Sequence, residues 1–158
     1  MFNLFRKKDE KKERQIFLLN QLQELKRNNL QLKEIYNKLV KYSIKEYVKE
    51  ICKTSDKILS ECINDNSKVA KLNLFINYYQ ADVIKILLNY VSIKENKINS
   101  EEANEFMLKV EEFIQNVDIA FKNILENLII LNENSIDADI KIMLESLANN
   151  KLLGEKND

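Results

Sequence analysis

Residues 69–93 read VAKLNLFINYYQADVIKILLNYVSI, and within them Val69, Leu72, Ile76, Tyr79, Val83, Ile86, Tyr90 and Ile93 are spaced 3, 4, 3, 4, 3, 4 and 3 apart. A helix of about 3.6 residues per turn gathers such positions on one face, whereas a strand needs alternation at every second residue. The stretch therefore predicts one unbroken helix over residues 69–94, carrying a seam that another helix must cover. A second seam of the same pitch follows Ser100: Ala103, Met107, Val110, Ile114, Val117, Phe121, Ile124, Leu128 and Leu131 repeat at 4, 3, 4, 3, 4, 3, 4 and 3. Ser100 is a suitable N-cap, and Glu101 and Glu102 put carboxylates where the helix dipole favours them.

Upstream, a charged run from Arg6 to Arg14, with six basic and three acidic residues, leads into Phe17, Leu18, Leu22 and Leu25. Asn is a poor interior helix residue and a good cap, so Asn28 and Asn29 predict a break or bend near 28–30. A second helix is then expected to run to about Ile63 through Ile35, Tyr36, Leu39, Val40, Ile44, Tyr47, Ile51, Ile58 and Cys62. Asp65, Asn66 and Ser67 interrupt it, with Asn66 or Ser67 as the next N-cap. Downstream, Asn132 to Ser135 reads as a turn with Ser135 as N-cap. A last helix then carries Ile136, Ile140, Met143, Leu144 and Leu147 and ends before Gly154. These elements predict an all-α fold: an elongated antiparallel bundle of three long helices plus shorter N- and C-terminal helices. Residues 15–153 form one domain in this reading, residues 1–14 a charged N-terminal arm and residues 154–158 a disordered tail.

Composition agrees and excludes much chemistry. The 158 residues are 45% hydrophobic and 32% charged, with no Pro, one Gly, one Thr and seven Val, and the near absence of Pro and Gly leaves few residues for the tight turns of a sheet. There is no His and no Trp, which removes the commonest general base and metal ligand together. With 25 basic and 25 acidic residues, of which only Arg6, Arg14 and Arg27 are arginines, no net field or set of Arg forks favours nucleic acid. Cys52 and Cys62, ten residues apart on one expected helix, stand about 15 Å apart, too far for a disulfide. Two free thiols in the core are expected in a reducing cytoplasm. The opening Met-Phe-Asn-Leu-Phe-Arg-Lys-Lys does not read as a secretory signal. The longest uncharged run, Leu72 to Ala81, has ten residues where a membrane span needs about 20.

Three places resemble the bacterial 5-bromo-4-chloroindolyl phosphate hydrolysis protein family, often called XpaC-like, over residues 74–147. Phe75-Ile76-Asn77-Tyr78-Tyr79 followed by Lys85-Ile86-Leu87-Leu88-Asn89-Tyr90 is similar to the family's aromatic stretch. Ala120-Phe121 with Leu125 and Leu128 is similar to its next helix, and Asp137-Ala138-Asp139-Ile140 with Leu144 and Leu147 to its acidic C-terminal helix. Where the family usually has Leu-Pro-Thr after the Tyr pair, this chain has Gln80-Ala81-Asp82. The family name implies phosphomonoester hydrolysis, while the similarity of its members in context to toxic-anion (tellurite) resistance proteins implies an adaptor in an envelope or stress system.

The residues themselves weigh against hydrolysis. Phosphatases need a metal pair, an Asp nucleophile, or a Cys or Ser nucleophile beside a cationic phosphate cradle. Asp137-x-Asp139 is the one short echo of an aspartyl-phosphate motif, and it falls in the first turn of an amphipathic helix instead of at a strand end. No metal site and no cofactor are expected, and the acidic run Glu101, Glu102, Glu105, Glu111, Glu112 and Asp118 reads as a solvated face. The leading expectation is a non-catalytic interaction or adaptor protein with a protein partner. Candidate partner-binding residues are Tyr78, Tyr79, Asp82, Asp137 and Asp139, with Tyr79 and Tyr90 on the seam and Tyr78 off it. Phe2, Leu4 and Phe5 beside Lys7 and Lys8 form a candidate membrane-surface contact on the inner face.

Overall fold

A computed structural model describes residues 2–39, 42–131 and 133–153. The described residues are helical and contain no strand. They comprise α1 (Phe2–Lys38), α2 (Lys45–Asn64), a 3-10 segment (Asn66–Leu72), a π segment (Phe75–Tyr79), α3 (Gln80–Glu95), α4 (Glu101–Ile129) and α5 (Glu133–Asn149). Helices α1 to α4 form a ring in which α1 touches α2 and α3, and α4 touches the same two; α5 lies against α4 and the 3-10 and π segments. Consecutive helices run antiparallel: Asn29 meets Ser55 across α1 and α2, and Tyr90 meets Glu111 across α3 and α4. The partners of Asn28 and Tyr42 are Gln80 and Tyr90, which makes α1 and α3 parallel neighbours.

Both seams are the core. Val69, Leu72, Ile76, Tyr79, Val83, Ile86 and Tyr90 are buried, as are Ala103, Met107, Val110, Ile114, Val117, Phe121, Ile124 and Leu128; only their last members, Ile93 and Leu131, reach solvent. Phe75, Tyr79 and Phe121 stack at the centre, with Phe75 and Phe121 edge to face at 5.0 Å. The α4 start is as expected, the Ser100 hydroxyl accepting from Ala103 N at 3.1 Å.

Several boundaries differ from the sequence reading. There is no break at Asn28 and Asn29: α1 runs through them for 37 residues, so the N-terminal helix is the longest and not a short one. The expected second helix is the end of α1, which closes at Lys38, plus α2, which opens at Lys45. Val40 lies outside the described residues, as does the tail from Gly154 to Asp158. The N-cap after α2 is Asp65, which is extended and accepts from Ser67 N at 3.1 Å and Ser67 Oγ at 2.6 Å. Ser135 is inside α5 and does not cap it. Lys97, Leu131 and Lys151 adopt left-handed φ values of 53°, 58° and 54° just beyond α3, α4 and α5. Glycine usually takes that role, and this chain has one glycine.

The expected unbroken helix over 69–94 stays helical throughout but changes its winding. Val69 and Leu72 lie in the 3-10 segment, and the backbone then stays right-handed helical at Asn73, Leu74, Tyr79 and Gln80. Gln80 N–H bonds to Phe75 O, one residue further back than an α-helix would reach. Overwinding before residue 73 is followed by underwinding after it, so the side chains keep an average three-and-four spacing. That spacing is all the sequence displays.

Candidate functional site

At the start of α3 the fold places a buried polar junction between three helices. In a regular α-helix Gln80 N–H would occupy the carbonyl of Ile76. The π segment diverts it to Phe75, and Asn28 Nδ2 on α1 donates to the Ile76 carbonyl instead, at 3.0 Å. Asn28 Nδ2 also donates to Gln80 Oε1 at 3.0 Å. Gln80 Nε2 donates to Asn29 Oδ1 at 2.8 Å and to Ser55 Oγ on α2 at 3.0 Å, and Asn29 Nδ2 closes the set on Ser55 O at 2.9 Å. All four side chains are buried, and each bond replaces water that burial removed. Sequence reasoning missed this junction, although a signal existed: Asn28 and Asn29 stand at helical spacing between Leu25 and Leu32, where core residues belong. The groups are neutral amides and a hydroxyl, so the junction fixes register and does no acid–base chemistry.

The candidate partner-binding residues do not share one surface. Tyr79 is enclosed in the aromatic core, and burial pushes its hydroxyl pKa above the ordinary range. Tyr78, on the other side of the π segment, is 55% exposed, and Asp82 is half-buried one turn further on. Asp137 and Asp139, two residues apart on a helix, point to different neighbours. Asp137 is exposed at a groove of about 350 Å³ lined by Ala70, Lys71, Asn73 and Leu74 of the 3-10 side. Asp139 accepts from Asn127 Nδ2 at 3.0 Å and borders a groove of about 270 Å³ between α4 and α5, lined by Ile119, Ala120, Ile142 and Met143.

Other reactive groups are held apart. Cys52 and Cys62 are free and buried on α2. Desolvation pushes their pKa up from 9.0 to about 11 and about 12, so both are thiols and not thiolates at neutral pH. The acidic run on α4 is solvated at Glu101, Glu102, Glu105 and Glu112 only. Glu111 accepts the Tyr90 hydroxyl at 3.0 Å; burial first, and this bond second, raise the tyrosine pKa. Asp118 departs from the solvated-face expectation: it is buried, with Lys122 Nζ 3.3 Å from its carboxylate and 3.9 Å from Glu50 Oε2 on α2. Among the described residues no group of three acidic or Cys side chains is placed to hold a metal ion.

The charged arm is the first part of α1. Residues 2–17 are exposed throughout, about 24 Å of helix beyond the bundle. Phe2 and Phe5 lie on the helix side opposite the buried Leu22, Leu25 and Leu32. Leu4 and Lys7 lie off that side, and Lys8 flanks it, so the five membrane-surface candidates do not form one apolar face. No helix among the described residues is long and apolar enough to cross a membrane. Comparison with family models, with curated proteins and with solved structures finds no match.

Proposed function

We propose that the chain is a non-catalytic helical interaction protein, an adaptor for a protein partner in a bacterial envelope or toxic-anion stress system, as the resemblance of residues 74–147 implies. The observation that carries this reading is the separation of Asp137 from Asp139. The two carboxylates of the only phosphatase-like motif face different grooves, one toward the 3-10 segment and one tied to Asn127. In-line transfer of a phosphoryl group needs a nucleophile, an acid and cations converging within hydrogen-bond reach of one atom. Ile119 and Ile142, both exposed, flank the α4–α5 groove over Ala120 and Met143, which supports apolar contact with a partner there.

Release of product from a chromogenic aryl phosphate tests the reading, with and without Mg²⁺, Mn²⁺ and Zn²⁺. The purified chain and the double variant Asp137→Asn, Asp139→Asn are expected to give the same background rate. Activity that follows the parent and disappears in the variant overturns the adaptor reading and makes the two carboxylates the site.

A further inference from the structure

The outer face of α1 carries a third seam that none of the described residues covers. Phe2, Phe5, Asp9, Lys12, Ile16, Leu19, Gln23, Lys26 and Leu30 are spaced 3, 4, 3, 4, 3, 4, 3 and 4 apart and all are exposed. They lie directly opposite the face that Leu22, Leu25, Leu32 and Ile35 bury in the bundle. Its five apolar members, Phe2, Phe5, Ile16, Leu19 and Leu30, are each between 52% and 92% exposed. A helix extension of this length has no tertiary packing to stabilise it, so an apolar stripe along it needs a partner.

The order of residues along the stripe identifies that partner. Two copies laid antiparallel and centred between Glu10 and Lys11 place Phe2 opposite Leu19, Phe5 opposite Ile16 and Asp9 opposite Lys12, with each pair occurring twice. On the flank, Arg6 of one copy then lies within a turn of Glu13 of the other. A parallel pair in register would instead set Asp9 against Asp9 and Lys12 against Lys12. We propose that the exposed arm of α1 is a self-association element, in which two copies of this chain form an antiparallel two-helix coiled coil over residues 2–19. Four apolar layers surround a central pair of Asp–Lys layers, and the charged centre fixes both orientation and register. The paired stretch is about 26 Å long, and because the stripe faces away from the bundle, the two bundles sit at opposite ends without collision.

The inference is independent of the adaptor reading and is tested on the full chain by sedimentation equilibrium from micromolar to near-millimolar concentration. The parent is expected to approach a dimer. Asp9→Lys and Lys12→Asp each set like charges opposite one another and are expected to weaken association by about tenfold or more, whereas the double exchange Asp9→Lys, Lys12→Asp restores it. Circular dichroism checks that each variant keeps its helix. Orientation is read by mixing Phe5→Cys chains with Ile16→Cys chains under mild oxidation, the native thiols being buried: the mixed 5–16 disulfide is expected to exceed either homodimer. A parent that stays monomeric across the range, or associates equally well after either single reversal, overturns the proposal. Pelleting with phosphatidylserine vesicles by a chain that does not self-associate overturns it too, and assigns the stripe to a membrane surface.

Discussion

Gln80 shows how much one side chain can be required to do. Its amide nitrogen holds Asn29 and Ser55 while its oxygen holds Asn28, so its loss takes one partner from each of three buried side chains. Gln80→Ala is expected to destabilise the chain by about 3 kcal/mol in urea denaturation, since an unsatisfied buried polar group costs about 1–3 kcal/mol and the cavity adds to that. With Asn29→Ala in a double-mutant cycle, the two losses should fall short of additivity by about 1 kcal/mol. Additive values would show that the two amides do not act together. The thiols set a pH limit of a definite sign. The folded state holds the protons of Cys52 and Cys62 to about 11 and about 12, against 9.0 for the ordinary group. Their stabilising contribution is complete below pH 9 and is lost as pH rises through those values, and the raised Tyr79 and Tyr90 act in the same direction. The thermal midpoint should be level from neutrality to about pH 9 and then fall; a midpoint level to pH 11 would contradict this. The burial of the two thiols was legible in the sequence, whereas the amide junction was not, because an Asn or Gln in a core position looks identical to one at a helix end until its partners are located.

At the scale of elements, the periodic residues were the readable part. The α4 seam from Ala103 to Leu128 and its Ser100 cap follow from spacing and one side-chain preference, both properties of neighbouring residues. The missed boundaries depend on distant ones. Asn28 and Asn29 would favour a helix end in isolation, and it is Gln80 and Ser55, far along the chain, that make a continuous α1 the lower-energy arrangement. The shift from 3-10 to π winding is similarly invisible, because its stabilising bond runs from α1 to the Ile76 carbonyl. Ala81 is the second residue after this segment, at the place where the XpaC-like pattern has proline. Ala81→Pro should cost about 3 kcal/mol or more, since Ala81 lies inside the continuous helix and the ring would clash with the preceding turn. A variant with an unchanged urea midpoint would mean that the π segment had already opened room for the ring.

Over the whole molecule, stability and the exposed arm should separate. Residues 2–17 bury nothing in the bundle, so a chain beginning at Gln15 is expected to keep its thermal midpoint within about 2 °C when measured at a concentration too low for pairing. A larger drop would show that the arm contributes to the core. The four-helix ring with α5 laid against it also has an uneven tolerance for changes in chain length. A residue inserted between Glu101 and Ile129 would turn everything after it by about 100° and drive the α4 seam toward solvent. Between Asn66 and Tyr79 the backbone already holds a tight stretch and a loose stretch side by side, and exchanging one for the other can take up or release a residue while Gln80 stays facing Asn28 and Asn29. That segment is the fold's expansion joint, the place where a lineage of such proteins could gain or lose a codon without moving the core.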